Sequence, residues 1–375
     1  MKAYIKYLAI LFTGLAGILS CSKNQTFPNG HGNIKYPIEF GTYLGRTVAS
    51  KAGDTFKDNG DLFVDGDAFA VYCYYHDNGS FNNNSSTPNF MLNQLVEYDG
   101  SDWTYSPIKY WPNETGGDVS ATTDRLSFFA YYPPAGGVSD TTGVVVRAKG
   151  TTSAYGENSV GLPDFYFAQK NAVDCQVDLM FSEFASGSER DLTKPAVDVP
   201  VTFTFKHALA QVSFEVELVT GMTMVVKTMT LTGPYGSGTC TLDPSNASAL
   251  AYTWSTSGSR QTYTLSNASG AATKLLMIPQ SITSDFVLHI EYDLEFEGAD
   301  KGDDGTSPGT TIVYSENVCD ARLDKMLDGQ GNTVASTVTN WLPGKKYIYR
   351  INPGLERIEF SEVVENSWTL EWPTN

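Results

Sequence analysis

The chain has 375 residues, 41% of them hydrophobic, and a formal net charge of −17. That length points to two domains of ordinary size with real cores, and the charge excludes nucleic acid as a partner, because phosphates demand basic surface. It also argues against adsorption on anionic lipid, so any hold on a membrane has to come from an anchor rather than a basic patch.

The first 20 residues read as an export signal peptide. Lys2 and Lys6 precede or open an apolar run at 7–19, which is as long as a signal-peptide core and too short to cross a bilayer comfortably. The run ends in Ile18, Leu19, Ser20 and Cys21. This resembles a bacterial lipobox, with an aliphatic residue, then a small one, then a thiol that receives a diacylglyceryl group. Two acyl chains anchor stably where one does not, at about 0.8 kcal/mol per buried methylene. The mature chain is expected to begin at lipidated Cys21, with residues 21–33 as a tether.

From residue 34 onward the pattern is β, in keeping with 34 Gly, 21 Tyr and 20 Phe. Ile34, Tyr36, Ile38 and Phe40 share one face, and Pro37, which cannot donate to a ladder, marks the stretch as an edge strand. Gly45 and Arg46 interrupt it. Residues 67–75 and 125–132 are further strands, separated by a polar loop at 78–88. Trp103, Tyr105, Tyr110 and Trp111 surround Pro107; they fit either strand packing or a sugar-stacking platform, which makes Trp103 and Trp111 the candidate glycan contacts.

Charge, Gly and Pro collect at 186–200. The expected organisation is therefore an N-terminal β-sandwich at 34–190, a linker at 191–200 and a C-terminal β-sandwich at 201–375. Val212, Phe214, Val216 and Leu218 line one face of a strand in the second half, and 321–328 is the best candidate for a helix. Near the end Ile358, Phe360, Val364, Trp368, Leu370 and Trp372 all fall on even positions. A removable edge strand and a terminal strand able to replace it in another subunit are the parts needed for polymerisation by strand addition. The same pattern fits a monomer whose two ends pair at home.

No catalytic constellation emerges. The phosphate-cradling GxxxxGK[ST] and zinc-binding HExxH patterns are absent, and His31, His76, His207 and His289 lie far apart. Residues 300–305 resemble the start of a calcium loop, but Thr311 stands where a bidentate Glu belongs, so the stretch reads as a solvated turn. Cys73, Cys175, Cys240 and Cys319 lack metal-ligand spacing and fit either buried thiols or one of three disulfide pairings. With 42 acidic residues some carboxylate pair falls at hydrolase spacing by chance, so none is nominated. Asp140, Thr141 and Thr142 resemble a bacterial O-glycosylation site. No enzyme, metal or cofactor is expected.

The lipobox, LSFFAYYP at 126–133, FKHALAQVSF at 205–214, LMIPQ at 276–280 and WLPGKKYIY at 341–349 follow one another in an order that resembles the fimbrillin (Mfa-like, type V pilin) family. The resemblance spans nearly the whole mature chain. It implies an all-β protein of two tandem transthyretin-like β-sandwich domains, exported as a lipoprotein to the outer membrane and assembled with other fimbrial subunits into surface fimbriae. It also implies an Arg-specific protease that removes the lipidated N-terminal strand, leaving a groove for a neighbour's strand. Arg46 is the position that matches the cut, with Lys51 a poorer match. The alternative is a stand-alone surface lipoprotein that binds a glycan or a host protein.

Overall fold

The computed structural model describes residues 36–43, 65–112, 124–135, 142–182, 190–195, 199–218, 220–245, 250–265, 273–297, 311–328, 330–353 and 358–367. Their regular structure is β apart from one 3-10 turn at Val173–Cys175. The first ten strands are β1 (Phe40–Tyr43), β2 (Ala68–Asp77), β3 (Met91–Tyr98), β4 (Trp103–Thr104), β5 (Asp124–Tyr132), β6 (Val144–Arg147), β7 (Asp164–Ala168), β8 (Met180–Ser182), β9 (Leu192–Thr193) and β10 (Val201–His207). Then come β11 (Ala210–Val216), β12 (Met222–Asp243), β13 (Ala251–Thr264), β14 (Thr273–Met277), β15 (Gln280–Ser281) and β16 (Val287–Glu297). The last six are β17 (Thr311–Arg322), β18 (Lys325–Leu327), β19 (Thr333–Ala335), β20 (Asn340–Trp341), β21 (Lys345–Pro353) and β22 (Ile358–Ser367).

The N-terminal sheet runs β2-β3-β4-β1-β10-β8-β5 and closes on itself because β5 also pairs with β2, while β9 attaches to β5. Period-two alternation explains why the central strands carry so few polar residues. Along β2, Phe69, Val71 and Cys73 join one core, and Ala70, Tyr72 and Tyr74 join a second. The same split runs along β5, with Leu126, Phe128 and Ala130 in the first core and Phe129 and Tyr131 in the second. Both faces are covered, so both must be apolar.

The C-terminal part packs a four-stranded sheet, β14-β11-β21-β22, against β17-β16-β12, and the third core fills the space between them with Phe214, Leu231, Ile290, Trp341 and Tyr349. The 22-residue β12 links the cores. Its first half pairs with β16, and its second half continues past register shifts at 232–237 to pair with β7. Cys240 and Leu242 thereby enter the second core, beside Phe165 and Phe181.

Pairing crosses the segment expected to be a linker. Within it β9 pairs with β5, and β10, expected to open the second domain, lies between β1 and β8 in the N-terminal sheet. In turn β6 and β7 join the sheet of β12. The helix expected at 321–328 is instead the end of β17, a turn, and β18. An isolated eight-residue helix is marginal in water, whereas here Leu323 donates its N–H to the Phe286 carbonyl and Arg322 clasps Asp324 across the turn at 2.7 and 2.9 Å. Cys73, Cys175, Cys240 and Cys319 are thiols rather than disulfides.

Candidate functional site

The first strand is not at an edge. β1 pairs in parallel with β10, Phe40 to Tyr43 facing Val201 to Thr204, and meets Trp103 of β4 on its other side. Pro37 allows this because it lies before the ladder, in an isolated bridge to Tyr110, where its missing N–H leaves no gap. The expectation of an edge strand is thus corrected: β1 fills a seam between β4 and β10.

Alternation sets what the seam holds. Ile38 and Phe40 are buried, while Glu39 between them is exposed. The Phe40 ring stacks on Phe203 at 5.7 Å and meets Tyr105 at 5.2 Å and Phe128 at 6.0 Å. Each such burial contributes about 1.5–3 kcal/mol, and aromatic geometry adds to it.

Polar contacts hold the backbone. Ile38 donates its N–H to the Lys109 carbonyl at 2.9 Å, Trp111 donates to Tyr36 at 3.0 Å, and Val201 donates to Glu39 at 2.8 Å. The Tyr105 hydroxyl donates to the Ile38 carbonyl at 2.8 Å. Burial pushes that phenol up to about 12, so it stays a donor at physiological pH. Lys194, whose ammonium burial pushes below its ordinary value, lies 4.6 Å from the Tyr36 ring.

Trp103 and Trp111 both pack in this seam. The Trp103 indole N–H donates to the Thr42 hydroxyl at 3.0 Å, and its ring packs on Phe69 at 4.6 Å and Tyr98 at 5.1 Å. Trp111 is buried against Phe128. Trp103 itself is half-buried.

At the other end β22 pairs antiparallel with β21 from Ile358 to Ser367 and forms the border of the four-stranded sheet. A bulge between Arg350 and Ile351 changes its phase, so Phe360 and Val363 are buried while Val364 is only half-buried. The uninterrupted even face expected from Ile358 onward is corrected accordingly. Cys21, Arg46, Lys51, Trp368, Leu370 and Trp372 lie outside the described residues, as do the calcium-like stretch at 300–305 and Asp140 and Thr141.

Sequence reasoning missed Tyr105 and Phe203 as seam residues. The signal for Phe203 was present, since Val201, Phe203 and Phe205 alternate with Thr202 and Thr204, but nothing local says that this strand pairs with one more than 150 positions earlier.

Comparison with known proteins bears on the family and the fold. A family described as fimbrillin-like matches residues 52–368. The chain is 24% identical over 212 residues to the fimbrium subunit Fim1C of Phocaeicola vulgatus, covering 56% of this chain and spanning about half the length of that relative, 50%. A crystal structure of a fimbrial protein from Bacteroides vulgatus superposes with a TM-score of 0.56 at 19% identity, covering 89% of this chain and 100% of the other. That likeness is one of fold.

Proposed function

The chain belongs to the fimbrillin-like family, whose role is structural rather than catalytic, and from that premise we propose that it is a subunit of a surface fimbria assembled by strand exchange. The observation that carries the reading is the seated β1. A strand with partners on both sides, if withdrawn, leaves two facing edges separated by roughly 9.5 Å, twice the spacing of neighbouring strands. The slot would retain the apolar pocket of Ile38 and Phe40. An incoming strand therefore needs apolar residues two apart, and Trp368, Leu370 and Trp372 supply them, with Ile358, Phe360 and Val364 upstream.

In this scheme an Arg-specific protease cuts after Arg46, β1 leaves with the acyl anchor at Cys21, and a neighbouring subunit's terminal strand takes its place. Export to the outer membrane as a lipoprotein precedes the cut. Protein trimmed after Arg46 is expected to form a ladder of oligomers by light scattering, the untrimmed chain to stay monomeric, and trimmed Leu370→Asp to stay monomeric. Trimmed protein that remains a monomer contradicts the scheme.

One observation favours a second reading, a stand-alone surface lipoprotein that binds a glycan or a host protein. The ten-residue terminal strand is already paired with β21 in its own sheet, nine of its residues in register. On that reading, protein recovered from cells begins at diacylated Cys21.

A further inference from the structure

A cleft of about 460 Å³ opens in the C-terminal part, between β13 and the short β15–β20 ribbon. This is within the size range of small-ligand sites. It shares no residue with the β1 seam.

One wall is aromatic and fixed. On β13, Tyr252 and Trp254 point to the same side, and both line the cleft. The Trp254 indole N–H donates to the Ala208 carbonyl at 2.9 Å, and its ring closes onto β12 at Gly238, where a Cβ would come within 3.4 Å of it. Tyr252 is braced by Phe181 at 5.4 Å. Rings held this way lose little freedom when something stacks on them.

The facing wall is uncharged and mixes apolar Pro279, Leu342 and Pro343 with polar groups. Asn340 and Ser281 are exposed there and bonded to each other at 2.7 Å, giving an amide and a hydroxyl with capacity left for a ligand. Arg260 is the one charged residue in the lining. Its guanidinium is committed to Asp285 at 2.8 Å and to the Gly233 carbonyl at 2.6 Å. Gln280 is likewise committed, clamping both backbone groups of Tyr235.

We propose that this cleft binds a neutral oligosaccharide. Aromatic faces receive the C–H face of a pyranose, while amide and hydroxyl groups opposite receive its hydroxyls. The engaged Arg260 offers no anchor for an anionic sugar, and the chain's net charge of −17 opposes one. A purely apolar ligand would leave the exposed Asn340 amide and Ser281 hydroxyl without a partner.

The test is an array of glucose-, galactose-, mannose- and N-acetylglucosamine-based neutral oligosaccharides probed with the full chain, followed by titration of the best binder. Binding is expected to weaken at least tenfold in Trp254→Ala and in Asn340→Ala. Asn340 is exposed, so that variant folds even if loss of the indole disturbs Ala208. Tyr105→Phe, in the seam, is expected to leave binding unchanged, which separates failure of this proposal from failure of strand exchange. No binding to any neutral sugar overturns the proposal, as does binding indifferent to Asn340→Ala, or binding of extended peptides in the cleft without sugars.

Discussion

Single side chains in the seam decide how firmly β1 is held. Phe40→Ala removes a buried ring from among Phe203, Tyr105 and Phe128, and is expected to cost about 3–5 kcal/mol in the untrimmed protein, read as a lower denaturant midpoint. Tyr105→Phe loses the hydroxyl's hydrogen bonds to the Ile38 carbonyl and to the Lys109 backbone, for about 0.5–1.5 kcal/mol each. Gly233 sits at φ +104°, and a Cβ there would run into the Asp285 carbonyl. Gly233→Ala is therefore expected to destabilise through both strain and collision, and circular dichroism melting checks it. On the outer face of β16, His289 is held above its ordinary value first by its hydrogen bond to Asp320 and further by Glu291. Folding thus favours the imidazolium: the contribution is complete below the unfolded pKa and is lost as pH rises through the folded one. Half-exposure keeps it small. An NMR titration is expected to show the His289 midpoint elevated, and to fall in Asp320→Asn. At this scale the sequence was a poor guide. The aromatic character of Trp103 and Trp111 was plain, yet whether a ring faces water or Phe69 depends on strands brought together from distant positions.

Elements were easier to read than their neighbours. The alternation at 67–75 and 125–132 anticipated β2 and β5, since strands covered on both faces must be apolar throughout. The error over 321–328 came from reading a helical period in a span too short to support a helix, where β pairing and the Arg322–Asp324 turn prevail. Pro37 misled for a different reason: proline bars a residue from donating, and β1 starts only at Phe40. The bulge in β22 had no local signature either, since Ser361 looks like an ordinary exposed position until the phase change brings Val363 inward. This element has a second consequence. Deleting residues 358–375 removes Phe360 and Val363 from the third core and uncovers β21, so the truncated chain is expected to lose cooperative unfolding of its C-terminal part, monitored by Trp341 fluorescence.

Among the described residues the molecule is three cores joined by shared strands. β2 and β5 serve the first and second, and β12 serves the second and third, while buried Gln176 accepts from the Leu276 N–H at 2.7 Å between segments a hundred positions apart. A boundary read from composition at 191–200 could not register this sharing, because charge and proline mark where a chain is polar and not which sheet its flanks enter. Under the proposed strand-exchange scheme, a subunit built this way is expected to stay folded around its seam while one short strand is replaced. The most direct measurement is hydrogen exchange at the Trp111 and Val201 amides, which donate to the Tyr36 and Glu39 carbonyls in the segment leading into β1, in protein trimmed after Arg46, with and without a peptide of residues 358–375. The account predicts fast exchange after trimming and restored protection with the peptide. Amides that stay protected after trimming, or stay exposed with the peptide present, would contradict it.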